Sequence, residues 1–159
     1  MRKLLILYCL TMFLAACAGG DSRKSNDSDE HSSEEAESSH DVSDYDPHRG
    51  EGKFKDVELD SKLDKALALK GEKIADLKCL SCHKLSDEKL VGPGWKDVTK
   101  RNKPEWIMNF MTNTDVMIDK DPKVQAMLEI CMVRMPNQNL SDEDSRAILE
   151  FMRQNDGIK

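Results

Sequence analysis

Cys79-Leu80-Ser81-Cys82-His83 decides how the rest of this 159-residue chain is read. C-x-x-C-H is the attachment sequence for a covalent c-type haem. Two cysteines three residues apart lie about one helical turn from each other, so both thiols reach the vinyl groups of one porphyrin while the adjacent His turns an imidazole nitrogen onto the iron. The expected cofactor is one haem c, attached through Cys79 and Cys82, with His83 as axial ligand. C-x-x-C also serves thioredoxin-like dithiols and zinc sites. Here the run before Cys79 has helical rather than alternating periodicity, and no second Cys pair follows to complete a structural zinc site.

The amino terminus sets the expected compartment. Arg2 and Lys3 precede an apolar run, Leu4 to Leu14, too short to span a bilayer and of the length of a secretory h-region. Leu14-Ala15-Ala16-Cys17 then has the pattern of a bacterial lipobox, so residues 1–16 are read as a lipoprotein signal and Cys17 as the lipidated first residue of the mature protein. The alternative is ordinary cleavage near Ala16 or Ala18, releasing a soluble protein. Export agrees with covalent haem, whose attachment takes place outside the cytoplasm. The expected location is extracytoplasmic, with the haem domain in the periplasm and the lipid in a bacterial membrane.

Residues 17–58 read as a disordered acidic tether. From Ala18 to Glu58 there are 13 acidic and 5 basic residues and hardly any aliphatic ones, so the stretch has too little apolar surface for a core of its own. A flexible coil of this length has an r.m.s. span of about 35 Å. His31, His40 and His48 in such a context are solvated side chains, with metal scavenging the less favoured reading.

Cysteine arithmetic then closes. Cys9 leaves with the signal, Cys17 carries lipid, and Cys79 and Cys82 carry haem, which leaves Cys131 alone and no intramolecular disulfide to form. Covalent haem takes the place of that staple. Cys131 falls on an apolar helical stripe and reads as a small buried hydrophobe, with redox sensing or axial ligation as alternatives.

Residues 59–159 form one domain with 17 basic and 17 acidic side chains. The charges are unevenly spread: residues 78–103 hold seven basic and three acidic, residues 104–159 six and ten. A positive rim around the attachment site would steer the domain towards an acidic docking surface. Balanced charge and export give no support to a nucleic-acid partner.

The domain reads as all-α, with about four helices round one covalent haem. Leu63, Leu67, Gly71, Ile74, Ala75 and Lys78 share a helical face that runs into the attachment site. Pro104 opens a second helix with Trp106, Ile107, Phe110 and Met111 inside, and Asp121-Pro122 a third with Val124, Met127, Leu128 and Cys131. Ser141-Asp142-Glu143-Asp144 caps the last, which buries Ala147, Ile148, Phe151 and Met152.

Seven methionines lie outside the signal, and Met135 differs from the rest by preceding Pro136 between the third and last helices. A residue before Pro is pushed out of the helical region, so Met135 sits on an extended segment able to face the iron from the side opposite His83. A thioether ligand raises the haem potential. Met132 and Met127 are the nearest alternatives; Met108, Met111 and Met152 read as core.

Taken in order, Gly71, Cys79-x-x-Cys82-His83, Val91-Gly92-Pro93-Gly94 and Met135-Pro136-Asn137 make residues 65–155 resemble the class I cytochromes c, small mono-haem proteins with His/Met ligation. The resemblance implies a small cytochrome c fold. It implies that the Pro93 carbonyl orients His83, and that Gly71 lets the first helix approach the last, with Phe151 packing there. Ala75 stands where the family has a larger apolar side chain. Trp95 and Trp106 then either shield haem and bond a propionate or pack in the core.

The expected function is that of a membrane-anchored, one-electron carrier without catalytic residues, since the domain holds no His besides His83, no G-x-S-x-G and no phosphate loop. The implied partners are a redox donor and a terminal acceptor such as cytochrome oxidase or a copper nitrous oxide reductase, met as a monomer. Two alternatives stay open: a haem subunit fixed in a larger oxidoreductase, and a sensor or enzyme with a labile Met ligand.

Overall fold

The computed structural model describes residues 45–159; the signal, Cys17, Cys9, His31, His40 and the tether up to residue 44 lie outside the described residues. Among the described residues there are six helices and no strand: α1 Lys65–Lys78, α2 Val98–Arg101, α3 Pro104–Thr112, α4 Thr114–Lys120, α5 Pro122–Cys131 and α6 Asp142–Asn155. The four helices expected from periodicity are α1, α3, α5 and α6. The short α2 and α4 are additional, since four and seven residues give a helical pattern almost no room to repeat.

Three of the four longer helices begin where a side chain takes up their free amide groups, and α3 opens instead on Pro104, which has no amide to satisfy. Asp64 accepts from Leu67 N–H, Asp121 from Lys123 and Val124 N–H, and Ser141 from Asp144 N–H. Leu63 therefore precedes α1 rather than belonging to it. Lys78, placed by spacing on the inner face, is exposed, and its Nζ donates to the Gln138 carbonyl at 3.0 Å.

The centre of the fold is the contact between α1 and α6. Gly71 lies so near α6 that a Cβ there would sit 1.9 Å from the Ala147 carbonyl oxygen. The close partner of Gly71 is thus the backbone at Ala147, and Phe151 joins the buried core one turn further on. Ala75 is fully buried; at this separation a small side chain suffices. The α3 helix packs on α6, and α4 on α3, whereas α5 packs mainly on α4.

Residues 45–58, assigned by composition to the tether, are part of the domain. They run antiparallel to α3 and α4, held by side chains four residues apart. Glu105 accepts from Val57 N–H at 2.9 Å, and Asn109 accepts from Phe54 N–H and donates to the Phe54 and Arg49 carbonyls. Asn113 donates to the Glu51 carbonyl, Met117 Sδ takes the Glu51 N–H, and Asp121 receives the Tyr45 hydroxyl. Phe54 and Val57 of this strap pack against the core, and its backbone groups are satisfied by a ladder on the helices.

Glu150 ties α6 to the start of α1. It is fully buried, takes Arg153 at 2.7 Å and Arg146 at 2.6 Å, and accepts from Asp64 N–H at 2.9 Å, while Arg153 also donates to the Asp60 carbonyl. Burial pushes its carboxyl up, but Arg146, the Asp64 amide and Arg153 outweigh that and hold it below the usual carboxylate range. A lowered folded-state value stabilises above the unfolded value near ~4.3 and loses that effect as pH falls through the folded value. Glu150→Gln should therefore cost about 3 kcal/mol at neutral pH, by leaving two guanidinium groups short of a partner, and the gap from the parent should close in strong acid. Denaturant titrations of both proteins from neutral to acid pH measure it.

Candidate haem site

The last turn of α1 delivers the attachment residues. Cys79 N–H still bonds the Ala75 carbonyl at 2.8 Å, and the Cys82 and His83 amides both reach the Cys79 carbonyl at 3.0 Å, so a further turn continues past the helix end. This brings Cys79, 6% exposed, against the core and leaves Cys82 and His83 half-buried on the wall of a cleft. Burial pushes the Cys79 thiol up to about 11, with the neighbouring Cys82 adding to the rise and Lys78 opposing it. An attacking thiol of a thioredoxin-like pair is shifted the opposite way. At 6% exposed, Cys79 is also poorly placed to attack an external disulfide.

The loop after His83 folds back on the attachment turn, where Val91 and Gly92 N–H meet the Cys82 carbonyl at 3.2 and 2.9 Å. That return sets the Pro93 carbonyl oxygen 2.8 Å from His83 Nδ1. A carbonyl only accepts, so Nδ1 carries the proton and Nε2 keeps its lone pair for a metal. Burial lowers the His83 pKa, opposed by the Pro93 contact, which favours the neutral ring for ligation. Trp95 packs beside the imidazole, with ring centroids 5.5 Å apart.

Two adjoining cavities, of about 80 and 380 Å³, share His83, Pro93, Phe110, Met127 and Met135 and so form parts of one cleft. Cys82, Val91 and Cys131 line the smaller part, and Trp95, Trp106 and Met152 the larger. Met135 lies outside any helix and half-buried, as its position before Pro136 implies. Met132 is 86% exposed and lines neither part, whereas Met127 shares the cleft from within α5. Cys131 is half-buried on the cleft wall rather than in the core.

The donor set fits a covalent haem: two cysteines a helical turn apart, an imidazole oriented through Nδ1, and a thioether beside the same apolar space. Trp106 is not available to a propionate, because its Nε1 donates to the Asp121 carboxylate at 2.7 Å. Sequence reasoning read Asp121 as a helix start and missed this second role; a partner 15 residues away leaves no periodic trace. It also missed the tightness at Gly92, where an added Cβ would stand 2.4 Å from His83 Cε1. Gly92→Ala should push the imidazole off its axis, lowering haem retention and the low-spin fraction in optical and EPR spectra of the purified protein.

The family profile for cytochrome c matches residues 68–156. Among solved structures, a cytochrome c from Rhodothermus marinus is similar at 41% identity and a TM-score of 0.64, over 66% of this chain and 90% of that one. An engineered form of it bound to a carbene intermediate is similar at 40% identity and a TM-score of 0.60, with the same coverage. No curated protein matches significantly. The chain belongs to the cytochrome c family, electron-transfer proteins that carry covalently bound haem c.

Proposed function

We propose that this cytochrome is a lipid-anchored, mobile one-electron carrier between extracytoplasmic respiratory partners, with haem held by Cys79 and Cys82 and ligated by His83 and Met135. The observation that carries the reading is that His83 and Met135 line one apolar cleft. Bound there, haem supplies reversible exchange of a single electron at iron. Pro93 fixes the His83 ring, and the thioether of Met135 favours the reduced state. With His83 and Met135 both supplied by the chain, a bound iron would keep no position open for a substrate, which is what would separate a carrier from a sensor or enzyme.

The surface at the cleft supports docking of a partner. Val91 and Val133 line the smaller cavity, and with Leu90, Ile130 and Met132 they are exposed by 39 to 86%. The three acidic residues within residues 78–103 each pair with a lysine: Glu88 with Lys84, Asp87 with Lys96 and Asp97 with Lys100. Apolar contact at the cleft mouth, with the remaining basic groups guiding approach, suits a partner whose docking face is acidic at its edge. Cys17 as the lipid anchor and the acidic segment up to residue 44 as the leash would keep the carrier near a membrane-bound donor and an acceptor such as a terminal oxidase or nitrous oxide reductase.

Met135→Ala should abolish the Met-to-iron charge-transfer band of the ferric protein, lower the potential and let carbon monoxide bind the reduced form, which the parent should resist. A band that survives would sink the ligand assignment. Extraction of membranes in mild detergent and salt should release the cytochrome free of other subunits; recovery in a stable complex would favour a fixed subunit instead.

A further inference from the structure

We propose that residues 45–57 act as a latch on the haem cleft, with Tyr45 a positioning residue that works through the buried carboxylate of Asp121 on the wall leading to Met135. This rests on the reading of Met135 as axial ligand. The α5 helix forms part of that wall, through Val124, Met127 and Leu128. It is also the long helix least embraced by the others: α1 and α3 each pack on α6, while α5 packs mainly on the short α4. From its end the chain passes through Met132, exposed and left-handed at φ 58°, to Met135.

The position of α5 is set at its beginning. Asp121 is 1% exposed, and its Oδ1 accepts from Lys123 N–H at 2.8 Å and Val124 N–H at 3.0 Å, capping the helix. Its Oδ2 accepts from Trp106 Nε1 at 2.7 Å and from the Tyr45 hydroxyl. One carboxylate therefore joins α5, the α3 wall of the cleft and the strap. Burial and the nearby carboxylate push the Tyr45 hydroxyl well above its ordinary value, so it remains a donor across the usual pH range. Without it, Asp121 keeps its cap but loses the outer partner that closes the junction, and the wall it starts gains freedom to carry Met135 off the iron.

The test uses the full-length, haem-loaded protein. Tyr45→Phe keeps the ring and removes only the hydroxyl; it should speed carbon monoxide binding to the reduced protein by about tenfold, the worth of one hydrogen bond to a charged group, and lower the potential. Ser141→Ala, which removes the α6 cap, serves as a control that weakens the fold elsewhere and should leave both readings unchanged. Unaltered carbon monoxide kinetics in Tyr45→Phe, or an equal rise in Ser141→Ala, would overturn the latch. If Met135→Ala opens the iron to carbon monoxide while Tyr45→Phe does nothing, the latch alone fails; if the charge-transfer band survives in Met135→Ala, the ligand reading fails and the latch with it.

Discussion

The approach of α1 to α6 at Gly71 is the constraint on which the rest depends. With the Ala147 carbonyl where a Cβ would have to go, only hydrogen at that position lets the two helices meet at this distance. The crossing fixes the direction of α1, and α1 in turn delivers Cys79 to the core and His83 to the cleft. The same crossing puts Glu150 beside the start of α1, so the polar tie there follows from the apolar contact. Ala75 is fully buried in the same core cluster as Ile148, Phe151 and Met152.

The fold then divides by how firmly each wall is held. The His83 side rests on α1, on the returning loop and on the Pro93 carbonyl, all close in sequence to the attachment turn. The Met135 side rests on α5 and a segment with no helix, secured by Asp121 at one end and by lysines at others: Lys89 donates to the Ile130 carbonyl and Lys78 to that of Gln138. Those lysine contacts are solvent-exposed and contribute little.

How much was legible in the sequence follows from how local each interaction is. The helical turn at the attachment pentapeptide, the caps at Asp121 and Ser141, and the non-helical backbone at Met135 each depend on residues within about four positions, and each appears in the structure. The proximity of His83 to the Pro93 carbonyl came from family likeness rather than from spacing, and the 2.8 Å contact bears it out. The strap was invisible because its attachment is non-local: Tyr45 and Asp121 are 76 residues apart, and its backbone amides are matched by side chains that composition counts merely as polar. Asn109, fully buried between Met108 and Phe110 in α3, was a sign that some backbone had to meet it.

The ladder of Glu105, Asn109, Asn113, Met117 and Asp121 has a consequence for how this region can vary. The rungs recur every fourth residue through the break at Asn113 and meet a strap running the other way, with Asn113 and Met117 sharing Glu51. Substitutions between rungs leave the pattern in place. One inserted or deleted residue turns every later rung by about 100° and withdraws the whole series from its partners together. Descendants of this gene can therefore drift in letter but not in length between Glu105 and Asp121, and the gap pattern of that stretch, more than its identity, is where inheritance of the strap would be read.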